Sequence, residues 1–290
     1  MTDPLFPVMT NFYIGSFQTA ISEASHLTGL SEEQKLQREI FTQRAYLEIG
    51  SYDLVLTEIA DDAPLALRAV KTLAAYLKSP QSQAASALQQ AEAWAEDPNC
   101  ASNSTVLLIA GMLLALEGNL EAALKVCHAG LSLEMMALSV QICLRMDRPD
   151  AAEKVQRAMS AIDDDAPLTQ LAAAWVALHQ GGTKVQEAYY IYQELGDKFV
   201  WTVRLHNGLA VCQMRMGRWE DAEAELLQAF EKNAKDADTL ANLITVSVHL
   251  GKPASRYITL LKGAAPSHAI LARSDAAEEA FEKAMASVSA

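Results

Sequence analysis

The feature that most constrains this chain is a period. Gly217 and Gly251 lie 34 residues apart, as do Leu209 and Leu243. The first glycine is followed by Trp219 and Ala222, and the same phrase recurs upstream as Gly15 to Ala20, Gly50 to Val55 and Gly118 to Ala123. Degenerate copies end at Ala85, Ala152 and Ala188, so the series of small positions runs 20, 55, 85, 123, 152, 188, 222 and 256. The mean interval of about 34 residues is that of a repeated helix-turn-helix unit. Such a unit cannot bury its apolar face alone and must stack on its neighbours. Only 13 glycines and nine prolines punctuate 290 residues, which argues against many short strands and tight turns.

In period and pattern the units resemble the tetratricopeptide repeat. The expected fold is all-α, a right-handed α-α superhelix of about eight hairpins over residues 1–273, closed by a polar helix over 274–290. Small residues at positions such as Ala222 and Ala229 let two helices approach, and Leu209, Trp219 and Leu226 fill the space between. Start signals agree with this reading. Ser31 to Gln34 forms a capping box. Asp62-Ala63-Pro64 and Asp165-Ala166-Pro167 each read as an Asp cap followed by proline in the first turn. The acidic run Asp163–Asp165 belongs to such a start and is not read as a metal site.

Composition then removes whole classes of function. A net charge of −13 leaves no basic surface for nucleic acid. The longest apolar stretch, Val106–Leu116, is half of the ~20 residues that a spanning helix needs, so direct membrane insertion is not expected. Residues 1–10 lack the basic region of a secretory signal. Cys100, Cys127, Cys143 and Cys212 form no CxxC pair and read as buried thiols. The phosphate-loop, HExxH and GxSxG motifs are all missing, so neither an enzyme nor a cofactor is expected. Stacked hairpins offer an extended surface for another protein instead.

In proteins that the repeat resembles, positions 2, 5, 9, 12 and 13 of each first helix line the concave face. Carried onto this chain, the rule selects a partner-binding set of Ile40, Arg44, Leu47, Leu67, Val70, Leu77, Leu108, Met112, Leu116, Leu144, Arg204, Val211 and Met214, with Val248 beside them. The set is mostly apolar. Repeat proteins that clamp a carboxylate terminus place Lys at position 5 and Asn at position 9, and no copy here does so. An apolar inner face predicts a stably bound partner, docked as a strand, hairpin or helix.

Two stretches resemble one family in particular. Phe12-Tyr13-Ile14-Gly15-Ser16-Phe17 is similar to the opening of the ε subunits of coatomer, the COPI vesicle coat. Glu187-Ala188-Tyr189-Tyr190-Ile191-Tyr192-Gln193-Glu194-Leu195 is more specific, with Asn207-Gly208, Asn242-Leu243-Ile244 and His249-Leu250-Gly251-Lys252-Pro253 after it. The resemblance implies a non-enzymatic, cytoplasmic coat subunit, peripheral on Golgi membranes and vesicles. It would act in Golgi-to-ER retrograde and intra-Golgi transport and curl around the C-terminal domain of the α coatomer subunit. The alternative from another class is a free-standing adaptor that binds client peptides transiently.

Overall fold

In six of the eight copies the chain reverses five residues ahead of the position in the series. Gly15, Gly50, Gly118, Gly217 and Gly251 all adopt positive φ, between 66° and 89°, and Asp147 takes the same place in a degenerate copy at 55°. After each, the next amide donates to a carbonyl five residues back: Ser16 to Asn11, Ser51 to Tyr46, Asn119 to Leu114, Arg148 to Cys143, Arg218 to Gln213 and Lys252 to Ser247. One turn chemistry therefore closes six hairpins, because a left-handed residue past the helix end satisfies otherwise orphaned carbonyls.

The computed structural model describes residues 3–288 and contains 17 helices among them. They run α1 (Phe6–Ile14), α2 (Phe17–His26), α3 (Glu32–Glu48), α4 (Tyr52–Glu58), α5 (Leu65–Lys78) and α6 (Pro80–Glu96). Next come α7 (Ser104–Leu116), α8 (Leu120–Cys127), α9 (Leu133–Arg145), α10 (Pro149–Ile162), α11 (Pro167–Gln180) and α12 (Lys184–Lys198). The chain continues with α13 (Val203–Arg215), α14 (Trp219–Lys232), α15 (Ala237–His249), α16 (Ser255–Ala264) and α17 (Ala269–Val288). It divides into two compact units, residues 1–191 and 192–290. The closing helix expected from Ser274 starts at Ala269 instead, and residues 289–290 of that expectation lie outside the described residues.

Small positions sit where helices touch. Ala20, Val55, Ala123, Ala152, Ala188 and Ala222 are all buried. Ala85 is not: it is exposed, and Ala87 and Trp94 take the buried places, with the seven-residue spacing of Ala222 and Ala229. The repeat register there shifts by two residues. The Ser31 capping box is present, with Gln34 answering the Ser31 amide. The two Asp caps are not. Pro64 itself is the N-cap of α5, and Ala166 caps α11 with Pro167 behind it. Asp62 lies two residues ahead of the Pro64 cap and Asp165 one ahead of the Ala166 cap, because proline keeps its predecessor out of the helix.

In the second unit two glycines leave room for rings, Gly208 of the Asn207-Gly208 stretch and Gly196. A side chain at Gly208 would meet the Tyr192 ring at 2.3 Å, and one at Gly196 would meet Trp201 at 2.4 Å. Gly208→Ala should therefore destabilise the fold by roughly 1–3 kcal/mol through overpacking, measurable by thermal or urea unfolding. Gly217 differs, because nothing lies within 4 Å of a side chain built there, yet its φ is +75°. Gly217→Val should cost about 1–2 kcal/mol from backbone strain alone, and Gly217→Asn should recover much of it.

Candidate partner-binding face

The first helices of the hairpins carry the candidate residues, and the two units treat them differently. In the first unit, Ile40, Leu47, Leu67, Val70 and Leu108 are buried in the chain's own core, and so is Arg44. Leu77, Met112 and Leu144 are half-buried, while Leu116 is 49% exposed. In the second unit Val211 and Met214 are half-buried, Arg204 is exposed and Val248 is 66% exposed.

Ile40 and Leu47 are buried against α5 and its neighbours, whereas Arg44 is taken up by an internal strut. Arg44 donates two parallel bonds to Glu134 at the start of α9, 3.0 Å to Oε2 and 2.7 Å to Oε1. Its guanidinium lies 4.7 Å from the centre of the Phe12 ring and 5.3 Å from that of Phe41. Phe12 belongs to α1, which packs against α11 as well as α2 and α3. Tyr13 beside it touches both the α1–α3 cluster and the α9–α11 cluster. Burial, reinforced by the Glu134 charge, pushes the Tyr13 phenol well above its ordinary range, so it stays a neutral wedge. A residue selected as a partner contact is thus satisfied within the chain itself. Burying a charge is tolerable only with such pairing.

Two further basic residues of the first helices in this unit are occupied too. Lys78 pairs with Asp53, and Arg145 donates to the Ala115 carbonyl at 2.8 Å. The second unit also carries polar groups that are not in the partner-binding set. Asn207 donates to Val203 O at 3.0 Å and Thr239 Oγ1 at 2.7 Å, and accepts from Asn242 at 2.9 Å. Thr239 also bonds Asp236, the N-cap of α15. Asn242 is partly exposed and held by this network, one turn ahead of Thr245 on the same helix. The 35-residue spacing of Asn207 and Asn242 was the signal available for it.

Chemistry other than binding finds little here. Among the described residues no three His, Cys, Asp or Glu side chains converge to hold a metal ion, and no helix is long and apolar enough to cross a membrane. All four cysteines are buried, and burial pushes the Cys127 and Cys212 thiols up to about 12. They are apolar filler.

Stacked helical hairpins with buried small residues and left-handed turns define a tetratricopeptide-like α-solenoid, a class of protein scaffold. A subunit of the anaphase-promoting complex in the Cut9–Hcn1 structure aligns with a TM-score of 0.63 at 13% identity, over 92% of this chain and 53% of that one. A tetratricopeptide repeat protein from Parabacteroides merdae aligns at 0.60 and 13%, over 89% and 97%. At that identity the likeness speaks to fold alone. The family model described as Coatomer epsilon subunit matches residues 1–289. Coatomer subunit epsilon-1 of Arabidopsis thaliana is 44% identical over 98% of this chain and 97% of its own length. Coatomer subunit epsilon of Dictyostelium discoideum is 32% identical over 97% of each. The chain belongs to the coatomer epsilon subunit family: it is a structural subunit of the COPI coat, not an enzyme, and its partners are other coatomer subunits.

Removing one member of the buried pair leaves the other charge stranded. Arg44→Ala should lower stability by ~3–5 kcal/mol, whereas Arg44→Met combined with Glu134→Leu should come much closer to the parent. A double-mutant cycle by chemical unfolding measures the difference.

Proposed function

We propose that this solenoid wraps and stabilises the C-terminal domain of the α coatomer subunit, within a coat that carries Golgi-to-ER retrograde and intra-Golgi traffic from the cytoplasmic side of Golgi membranes. Membership of the coatomer epsilon family carries the reading, and the apolar side chains left open on the first helices support it. Val248 and Leu116 are large apolar groups exposed in the chain by itself, with Val211, Met214, Met112, Leu77 and Leu144 partly so. An exposed apolar surface of this kind gains by being covered. Ile40, Arg44, Leu47, Leu67, Val70 and Leu108 then act behind that surface, as the packing that shapes it. Asn242 adds a fixed donor and acceptor beside the apolar positions, suited to a main-chain amide of the docked segment.

Copurification from cytosol tests the reading. A stoichiometric large coat subunit should remain bound through high salt, because apolar contact is not screened. Val248→Asp combined with Val211→Asp should weaken that association at least about tenfold while helicity is retained, since each desolvated charge costs more than 1 kcal/mol. Salt-labile recovery of assorted peptides or chaperones, with no coat subunit, would support a transient adaptor and sink the proposal.

A further inference from the structure

Second helices in the first unit are uneven in length. α8 has eight residues, whereas α6 has 17 and α10 has 14. It stops at Cys127, where Gly130 turns the chain with φ of 59° toward α9. Beyond that end, the side of α10 that a longer α8 would cover is bare. The result is a cavity of about 690 Å³ between α8, α9 and α10. That lies within the ~300–1,000 Å³ of small-ligand sites.

Both flanking helices turn a regular stripe toward it: Glu121, Leu124, Lys125 and His128 from α8 and its cap, and Ala151, Lys154, Val155 and Ala158 from α10. These are the i, i+3, i+4, i+7 positions of one helix face. The floor is Met136, Ser139, Cys143 and Met146 from α9 and its end, with Cys127 at the side. Ser139 already gives its hydroxyl to the Met135 carbonyl at 2.9 Å. Its one proton is thus committed, and the rest of the floor is methionine and cysteine, so most amides of a peptide backbone laid there would go unpaired at a cost. A saturated hydrocarbon chain needs no such partner.

Charge sits only at the rim. Lys125 and Lys154 are exposed and neither is in an ion pair among the described residues, in contrast to Lys35, Lys71, Lys78, Lys184 and Lys252. Glu121 is the one carboxylate among the lining residues. Two ammonium groups against one carboxylate leave a locally positive mouth in a chain of net charge −13. Lysine stems can lie along the apolar wall while their heads meet an anion. We infer that the cavity between α8 and α10 is a binding site for a long-chain acyl anion, its hydrocarbon between Leu124, Val155 and the two methionines and its head at Lys125 and Lys154. This goes beyond partner binding and does not depend on it.

The methionines are built-in reporters. In the full chain with methyl-labelled methionine, laurate below its micelle concentration should shift the Met136 and Met146 signals saturably and leave Met9 and Met214 in place. Ala158→Trp, which fills the mouth, should abolish the shifts. Should that variant fail to fold, Val155→Phe serves the same end. Lys125→Glu with Lys154→Glu should weaken laurate about tenfold by reversing two charges, while the uncharged dodecanol keeps its affinity. A response to laurate but not to phosphatidylserine vesicles assigns a free fatty acid, and the reverse assigns a bilayer lipid. Silence of both methionines toward laurate and vesicles overturns the inference. So does a response only to an apolar helical peptide, or an anion affinity that the charge reversal leaves untouched.

Discussion

Helices joined by a short turn can lie flush only where one of them surrenders side-chain volume and where the turn itself leaves no carbonyl stranded. This chain meets both conditions with one device repeated along its length. A left-handed residue ends the first helix, and five positions later a small residue on the second presses against it. Everything downstream depends on that spacing, because it sets which face of each first helix is sealed and which is left over. Where glycine is replaced by Asp147, the geometry persists at φ of 55°, held in part by His179 across at 3.1 Å. The motif tolerates a costly residue provided that its neighbours compensate.

Much of this was legible in the residues. The Gly217–Gly251 interval, the buried Ala222 and Ala229, the Ser31 capping box and the Asn207-Gly208 stretch all led to features that the structure contains. The failures have physical causes. Ala85 was preferred over Ala87 because an Ala-rich helix offers several candidates, and only packing against a neighbour chooses among them. Asp62 and Asp165 resemble caps, but a following proline moves the helix start past them. The buried state of Ile40, Leu67 and Leu108 was not legible either. The positional rule assumes that successive first helices leave their inner positions open. Here α3, α5, α7 and α9 pack on one another in turn, so Ile40 and Leu67 fall in one core cluster and Leu108 packs with Met135 of α9.

The packing of α1 on α2, α3 and α11 also bears on what the first unit leaves open. In the first, aromatic rings and a paired guanidinium occupy the space beside α3 and α9, so its candidate residues mostly shape the surface. In the second, Val248, Val211 and a braced Asn242 remain available on the first helices. The half-apolar composition of the chain thus divides between core and open surface, and its negative charge says little about what that surface holds.

The Arg44–Glu134 strut has a consequence for how the chain comes apart. Repeat arrays are nearly one-dimensional: each unit leans on its immediate neighbours, so ends fray and inner units open in turn. A bidentate bond between residues 90 apart, with α1 wedged between the elements it joins, is a crosslink in that ladder. Opening the first hairpin exposes the guanidinium and releases α9 together with it. The first unit must therefore melt as one cooperative block, and it must assemble by closing a long loop, which ties its folding rate to topology more than to local helix strength.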